Sequence, residues 1–367
     1  MTYNIKKIIE TDIKQLGIMP FTDNKMSIKN GYLYCYVDAK ERPKKTLRLG
    51  IDRSILIKNI AFEKDVAYAK EPVLSDDYVY HVIRKTWEKY YIIKEDKDLN
   101  CLSIYNLDEG LDICRVHFIT DNNEIVFTGK HHKYGEVLCQ AALDWKIRWY
   151  HCVRYGYHYN RVVIPLENGK TMISALDADY NLESYHIVNK DGYLLNIIHA
   201  FGYDDNPIKD NNSEKVLIHT TMPWCPKRQY ILHKIRIMDP SGYEIARHDI
   251  KHAMFIYRLI NERYIIHDSG FMSQYLHLYD LKNRRDDAKI TLSKSPFAAA
   301  FIKKIIGFMN DFVVIISKDT YFEIICLDIL FQQKWKFTLK GDLVDADFVN
   351  GYLYYITSNK AGIYKLI

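Results

Sequence analysis

The sequence lacks the cysteine patterns that staple a small domain or hold a metal. It contains seven Cys, and no two of them are separated by only two residues. An odd number without such pairs indicates neither a disulfide framework nor a zinc site. Most fall in segments that read as strands, where a free Cys behaves as a small core residue: Cys35, Cys101, Cys139, Cys152 and Cys326. We therefore expect a reducing compartment, with the cytoplasm as the location.

Long hydrophobic runs and nucleotide-binding motifs are also missing. The most apolar window, residues 301–316, is interrupted by Lys303, Lys304 and Asp311, so no transmembrane helix is expected. The first 12 residues carry charged side chains and no apolar signal core, which favours a cytoplasmic protein without a membrane partner. No glycine-containing segment matches a Walker or dinucleotide pattern. We expect no cofactor.

What the sequence does contain is a repeat. A five-residue apolar segment recurs along the chain, and both faces of the strand it predicts are apolar, as in a strand covered on both sides. Its copies are residues 31–35, 77–81, 124–128, 161–165, 215–219, 263–267, 311–315 and 351–355. Their first residues lie 46, 47, 37, 54, 48, 48 and 40 positions apart. A period of about 40 to 50 residues is typical of propeller blades.

A second signal follows each copy except the last, namely a short apolar pair that ends in Asp. These residues are Asp52, Asp108, Asp144, Asp177, Asp239, Asp280 and Asp328. An Asp at the end of a strand can bond the backbone of the following turn, so its repetition favours a structural role over a catalytic one. With a shorter apolar run before each copy and another after each Asp, every repeat has four strands, labelled A to D from the inside outwards.

The predicted fold is an all-β, eight-bladed β-propeller, with seven blades as the alternative if one repeat is degenerate. The last repeat has no strand D of its own, and residues 2–13 read as an orphan strand ahead of the first repeat. We expect residues 2–13 to complete the last blade and close the ring, which protects its edges. Because nothing resembles a linker, residues 1–367 are interpreted as one domain.

The C and D strands resemble the quinoprotein-dehydrogenase-like (PQQ-like) repeat and, more broadly, WD40-like propellers. The family pattern is roughly Ala-x-Asp, a Gly-containing turn and a Trp that closes onto the next blade. The best matches are Ala142-Leu143-Asp144 with Trp149, Ala175-Leu176-Asp177, and Leu327-Asp328 with Trp335. The resemblance implies a propeller across the whole chain. That superfamily includes cofactor-using dehydrogenases and non-catalytic scaffolds, and no cofactor or catalytic residue is carried over.

Three histidines occupy the fifth position of strand B: His81, His219 and His267. Imidazoles at one level of a ring could converge on a metal or a phosphate. Strand B is the second strand from the axis, however, so we expect these side chains to point between blades and to be satisfied and partly buried. An enzyme with a His-containing site on this face is the alternative, with His131 and His132 just beyond.

The loops between strands B and C all emerge on one face of a propeller. We place them at residues 38–45, 84–100, 129–135, 166–170, 220–229, 268–274, 317–321 and 357–362. They contain 16 Lys and Arg against 9 Asp and Glu, and this excess of seven is larger than the net charge of +5 of the whole chain. The candidate binding residues are Lys40, Arg42, Lys44, Lys45, Arg84, Lys85, Trp87, Tyr90, Lys130, His131, His132, Lys133, Trp224, Lys227, Arg228 and Phe271.

This basic and aromatic rim has more than one interpretation. It could grip an acidic protein segment through aromatic and Arg anchors, or stack bases and track phosphates, or be only a solvated, lysine-rich surface. Our leading hypothesis is a non-enzymatic scaffold that binds a protein or peptide partner through the B-to-C loops. Nucleic-acid binding is the alternative, and the sequence does not indicate an oligomeric state.

Overall fold

The structure is a computed structural model of the chain. It describes residues 5–15, 18–20, 26–39, 45–60, 66–69, 72–85, 89–106, 110–120, 122–144, 146–153, 163–177, 182–199, 203–209, 215–221, 232–239, 241, 243–251, 255–258, 263–270, 273–280, 283, 285–293, 301–308, 311–318 and 320–367. These residues form β-strands and one short 3-10 turn, Glu167–Gly169. They include no helix of the length and apolarity that a membrane span requires.

Contacts divide the chain into two compact units, residues 1–115 with 299–367, and residues 116–298. The N-terminal segment contains β1 (Ile5–Asp12), β2 (Ile18–Pro20), β3 (Ser27–Lys29), β4 (Tyr32–Ala39), β5 (Lys45–Gly50), β6 (Ile55–Asn59), β7 (Val66–Ala69), β8 (Val73–Leu74), β9 (Val79–Lys85), β10 (Lys89–Glu95) and β11 (Cys101–Asn106).

The second unit is built from the strands that follow. They are β12 (Leu111–Ile119), β13 (Glu124–His131), β14 (Gly135–Ala142), β15 (Ile147–Cys152), β16 (Val163–Pro165), β17 (Thr171–Asp177), β18 (Leu182–Val188), β19 (Leu194–His199), β20 (Tyr203–Lys209), β21 (Val216–Thr221), β22 (Leu232–Met238), β23 (Glu244–Lys251), β24 (Phe255–Arg258), β25 (Arg263–Gly270), β26 (Ser273–Asp280) and β27 (Arg285–Ser293). The exception is the start of β12, because residues 111–115 belong to the first unit.

The C-terminal segment belongs to the first unit. Its strands are β28 (Phe301–Phe308), β29 (Asp311–Ser317), β30 (Tyr321–Leu327), β31 (Gln333–Lys340), β32 (Leu343–Val349), β33 (Tyr352–Thr357) and β34 (Lys360–Leu366).

Strands that follow one another in the chain pair antiparallel into small sheets. In the first unit the sheet orders are β2-β4-β5-β6 with β3 also on β4, β11-β10-β9-β7 with β8 also on β9, β28-β29-β30-β31, and β1-β34-β33-β32. In the second unit they are β12-β13-β14-β15, β16-β17-β18-β19, β20-β21-β22-β23 and β24-β25-β26-β27. The described architecture is therefore all-β, in consecutive antiparallel sheets.

The second strand of a sheet is covered on both faces. Residues 311–316 of β29 are all buried, and β13 and β33 show nearly continuous burial. Fourth strands differ, since in β15 half-buried and exposed residues alternate. A strand with one face in solvent shows this alternation, whereas a strand between covered faces is continuously apolar. The apolar repeat in the sequence therefore marks the inner strands of the sheets.

Two hairpins have the Asn-Gly turn that suits antiparallel strands. Asn30 and Gly31 join β3 to β4 with φ of +51° and +82°, and Asn350 and Gly351 join β32 to β33 with φ of +51° and +79°. Two consecutive residues with positive φ form a type I′ turn, whose twist matches that of the strands it connects. Gly and Asn adopt this conformation at low cost.

The fourth repeat is displaced from its predicted position. Residues 161–165 were expected as the second strand, but β16 is the first strand of its sheet and β17 the second. The turn between them contains Asn168 and Gly169 with φ of +56° and +71°, as in the other Asn-Gly turns. Asp177 therefore ends a second strand rather than a third. Moving this copy to residue 170 changes the irregular spacings of 37 and 54 to 46 and 45.

Residues 84–100, predicted as an inserted loop, contain a strand. They include β10, the third strand of its sheet. Lys85 of β9 pairs with Lys89 of β10, so the connection is short. Ile92 and Ile93 are fully buried, and their burial explains why this charged segment is part of the sheet.

Polar residues at the ends of third strands bond the turns that follow. In four of them, Oδ1 accepts hydrogen bonds from backbone N–H groups two to four residues further along the chain. The acceptors and donors are Asp52 with Ser54, Asp96 with Asp98 and Asn100, Asn189 with Asp191 and Tyr193, and Asp328 with Leu330 and Gln332. Asp96 and Asn189 take the places that the sequence assigned to Asp108, which lies outside the described residues, and to Asp177. The expected structural role is confirmed for Asp52, Asp144, Asp239, Asp280 and Asp328, and it stays a prediction for Asp108 and Asp177.

Two tryptophans close onto a neighbouring sheet, as the repeat pattern implies. Trp149 of β15 donates from Nε1 to the carbonyl of Lys190 at 2.8 Å, and a Cβ on Gly192 would lie 2.7 Å from its ring. Trp335 of β31 contacts Phe348 of β32, with ring centroids 6.4 Å apart. The Trp149 ring fills the space beside Gly192, which has no side chain of its own.

The N-terminal strand pairs with the C-terminal end of the chain. Ile5 of β1 lies opposite Leu366, and Asp12 lies opposite Lys360. Ile9 is buried in the core that β1 shares with β4, β5, β33 and β34. Strand β1 thus supplies the fourth strand of the last sheet.

Candidate functional site

Half of the sequence-predicted binding residues lie outside the described residues. These are Lys40, Arg42, Lys44, Trp87, Trp224, Lys227, Arg228 and Phe271. Four others occupy strands instead of loops. Lys45 begins β5 opposite Val37, while Arg84 and Lys85 end β9 and Tyr90 lies in β10. The prediction that these four are loop residues was wrong, because β5 already begins at Lys45 and because β10 follows β9 after a short connection.

The remaining candidates lie on the hairpin between β13 and β14. Lys130, His132 and Lys133 are exposed, and His131 pairs with Gly135 where the hairpin closes. The Nδ1 atom of His131 accepts hydrogen bonds from the backbone N–H of Lys133 at 3.1 Å and of Tyr134 at 3.3 Å. Since Nδ1 accepts, the ring proton of the neutral imidazole is on Nε2. The imidazole therefore organises the turn that presents the exposed residues.

An aromatic cluster forms around this turn. The ring of His131 lies 4.6 Å from that of Tyr134 and 5.4 Å from that of Tyr150, and the two tyrosines are 6.2 Å apart. Lys133 places Nζ 5.3 Å from the centroid of Tyr134. Tyr134 is 47% exposed and Tyr150 is 37% exposed. We call His131, Tyr134 and Tyr150 with Lys133 the hairpin cluster.

The contribution of Tyr150 was missed from the sequence. It lies in β15, opposite Cys139 of β14, and therefore in a fourth strand rather than in a loop between second and third strands. The alternation of exposed and half-buried residues in β15 marks Tyr150 as outward-facing once the strand is known. Aromatic rings with one wet face and a nearby ammonium can contact a partner's apolar or acidic side chains.

His81, one of the candidate metal ligands, lies in the interior of the first unit. It is fully buried, and its Nδ1 lies 2.7 Å from the hydroxyl of Tyr36 while its Nε2 lies 2.7 Å from Oε2 of Glu95. A carboxylate only accepts, so Nε2 carries a proton, and in the neutral imidazole Nδ1 accepts from Tyr36. Both nitrogens are used, and neither can bind a metal.

The other two histidine candidates are described only by their backbone. His219 lies in β21 opposite Ile235, and His267 lies in β25 opposite Leu276. Among the described residues, no group of three or more His, Cys, Asp or Glu could hold a metal ion. The expectation that the strand-B histidines are satisfied structural residues is confirmed for His81 and stays a prediction for His219 and His267.

Comparison with known proteins gives a fold and no family. No family model matches the chain, and no curated protein matches it. Among solved structures, BamB from Moraxella catarrhalis is similar with a TM-score of 0.57 and 10% identity over 99% of this chain and 100% of that one. The Dos1 propeller is similar with a TM-score of 0.63 and 9% identity over 98% and 95%.

A third similar structure is the β-propeller domain of the Trilobed protease from Pyrococcus furiosus. Its TM-score is 0.51, with 13% identity over 82% of this chain and 91% of that one. At such low identity, structural likeness supports the fold and says nothing of the site. The chain has the architecture of a β-propeller.

Proposed function

We propose that this chain is an eight-bladed propeller that binds a protein or peptide partner through the hairpins between its second and third strands. The blade number is supported by the corrected repeat spacing and by the four-stranded sheets of the described residues. In this proposal β1 completes the last blade. A seven-bladed arrangement is the alternative.

The hairpin cluster carries the functional proposal. Interface hot spots are enriched in Tyr and Arg because rigid rings bury a large area at low cost in side-chain entropy. Here Tyr134 and Tyr150 present two rings, and the His131 imidazole holds the turn in place. Lys130 and Lys133 place positive charge beside them. This combination suits a partner segment that carries an aromatic or aliphatic residue next to a carboxylate.

Nucleic acid is the second candidate, and the same cluster favours it. Exposed rings stack on bases, and lysines contact phosphates. The two candidates differ in their dependence on salt, since each phosphate contact releases counterions and makes affinity fall steeply as salt rises. A protein interface centred on aromatic rings depends on salt much less.

The experiment is a capture of partners by the tagged chain from lysate of its source cell, with and without nuclease, read by mass spectrometry and a nucleic-acid stain. The test variant is Tyr134→Ala with Tyr150→Ala. The matched control is Tyr243→Ala, which changes a tyrosine that is 65% exposed and immediately precedes β23 of the same unit.

The protein-binding proposal predicts a partner that survives nuclease, is kept by the control and is lost by the double variant. Its purified complex should weaken at least about tenfold with the double variant, as expected for a pair of hot-spot rings. Nucleic acid that is retained by wild type and lost with nuclease or at moderate salt would replace the protein proposal with the second candidate. Equal capture by all variants would overturn both.

A cytoplasmic location is part of the proposal and stays a prediction from cysteine usage. Fractionation of the source cell tests it directly. Recovery of the chain outside the cytoplasm would contradict it.

A further inference from the structure

A small cleft in the first unit lies at the opposite end of the sheets from the B-to-C hairpins. It is formed between the turn that joins β3 to β4, the segment between β8 and β9, and the turn that joins β10 to β11. Its volume is about 50 Å³, which is room for a few waters or for part of a small ring. Tyr32, Tyr34 and Tyr78 line it. Neither the repeat nor the basic rim points to this position.

Two tyrosine rings of the cleft are held in place by a hydrogen bond and by contacts with cationic side chains. The hydroxyl of Tyr32 donates to Oδ2 of Asp52 at 2.9 Å, and the Arg48 guanidinium lies 5.0 Å from the Tyr32 ring centroid. On Tyr78, the Nζ of Lys94 lies 3.7 Å from the ring centroid. Walls that are ordered before binding reduce the entropy that a ligand must overcome.

The rim of the cleft is nearly neutral because its charges are paired. Lys29 lies 2.9 Å from Asp76, and Lys97 lies 3.6 Å from Asp77. A ligand with a strong charge of either sign would have to compete with these pairs. The charge pattern therefore favours an uncharged ligand over a phosphate or an acidic peptide, and it distinguishes this cleft from the basic rim.

Hydrogen-bond donors remain at the rim beside the paired carboxylates of Asp76 and Asp77. Each ammonium of Lys29 and Lys97 has three N–H donors, of which a carboxylate pair uses one, and the Tyr78 hydroxyl can also donate. A ligand that offers acceptors can use these donors without breaking either ion pair. Proline supplies a small apolar ring for a tyrosine face, carbonyl acceptors and no N–H, and its polyproline II conformation is ordered before binding.

We propose that this cleft binds a proline-containing extended segment of a partner protein, with one prolyl ring placed against Tyr32 and Tyr78. Aromatic-lined grooves recognise such segments in this way. This site uses residues other than those of the hairpin cluster. The proposal does not depend on the function proposed above.

The test is a fluorescence anisotropy titration of the full chain with a labelled decaproline peptide, and with a labelled Gly-Ser peptide of equal length. Decaproline is expected to bind with saturation and the Gly-Ser peptide to show no binding. Tyr78→Ala should weaken decaproline binding about tenfold. Tyr193→Ala, which changes a tyrosine that is 71% exposed in the other unit, should leave it unchanged.

Two outcomes would overturn the proposal: no saturable decaproline binding up to about 1 mM, or equal binding by wild type and a folded Tyr78→Ala variant. A second measurement uses the unaltered chain, so it does not depend on how that variant folds. A decaproline peptide with a photoreactive end group should crosslink within residues 29–34, 74–79 or 96–100. Crosslinks found only elsewhere would place the binding at another site.

Discussion

The carboxylate of Glu10 accepts a hydrogen bond from the hydroxyl of Tyr355, 345 positions further along the chain. The same oxygen accepts from the Tyr364 hydroxyl at 3.0 Å, and the other oxygen lies 3.1 Å from Nζ of Lys360. Tyr355 is almost fully buried. One acidic side chain of β1 thus satisfies two tyrosines and a lysine of the sheet that β1 joins.

Replacing Glu10 should loosen this junction. Glu10→Ala leaves the buried Tyr355 hydroxyl without its acceptor, and we expect the free energy of unfolding to fall by about 1 to 3 kcal/mol. The control is Lys7→Ala, because Lys7 forms only a surface pair with Glu10 at 3.8 Å and should cost at most about 1 kcal/mol. Urea unfolding measures both. Equal stability of the Glu10→Ala variant and the wild type would contradict the role of this contact.

The same carboxylate predicts an acid dependence of stability. Burial acts to raise the pKa of Glu10, but hydrogen bonds from Tyr355, Lys360 and Tyr364 outweigh it and hold the pKa below its ordinary value of 4.5. A depressed folded-state pKa contributes stability that is present above the unfolded value and is lost as pH falls through the folded one.

Glu323 behaves in the same way. Burial acts to raise its pKa, and hydrogen bonds from Lys336 and Lys318 lower it below 4.5 overall. Unfolding free energy should therefore fall as pH decreases below about 4.5. A double variant, Glu10→Gln with Glu323→Gln, should lose part of this dependence. Parallel curves of stability against pH for wild type and variant would refute the assignment.

Much of the fold could be predicted from the sequence, because inner strands are covered on both faces and are therefore apolar along their length. The fourth repeat was misplaced for a local reason. Residues 163–165 belong to a first strand but are as apolar as a second strand. Ala175-Leu176-Asp177 has the sequence expected at the end of a third strand, although it ends the second strand of its sheet. The correct register was signalled by Asn168-Gly169, whose positive φ values match those of the other Asn-Gly turns.

The residues of the candidate site were harder to predict from the sequence, for a different physical reason. Glu95 lies in a charged run, Lys94 to Asp98, that resembles a loop, yet it is buried because His81 binds it from the neighbouring strand. Tyr150 joins His131 only because β15 pairs with β14. Contacts of this kind depend on strand pairing, which a local pattern of residue types does not contain.

Substitution of two glycines tests whether crowding by a neighbouring side chain destabilises the protein. A Cβ on Gly362 would lie 2.8 Å from the ring of Tyr355, whereas one on Gly307 would meet nothing within 4 Å. Gly362→Ala should therefore destabilise by about 1 to 3 kcal/mol. Gly307→Ala should be neutral or stabilising by up to about 1 kcal/mol, since it lowers the entropy of the unfolded chain. Thermal unfolding of the two variants measures the difference, and similar midpoints would argue against the packing of Tyr355 on Gly362.

A third glycine tests the turn itself. Gly351 has φ of +79°, and a Cβ there would also meet nothing within 4 Å. Gly351→Ala should cost about 1 to 2 kcal/mol through the left-handed backbone alone. Compared with Gly307→Ala, it isolates this effect, because both sites are open. A Gly351→Ala variant as stable as Gly307→Ala would exclude a type I′ turn at this hairpin.

The buried Tyr36, His81 and Glu95 are expected to act as one structural unit. His81→Ala removes the partner of both neighbours and leaves the Glu95 carboxylate unpaired in the interior, so we expect a loss of about 3 to 5 kcal/mol in unfolding free energy. Replacing all three with apolar residues, Tyr36→Phe, His81→Leu and Glu95→Leu, removes the polar groups of this unit together and should recover much of that loss. Elemental analysis of wild type and triple variant should show equal metal content. A triple variant no more stable than His81→Ala would contradict the hydrogen-bonding argument, and a metal bound by wild type alone would return His81 to the list of metal ligands.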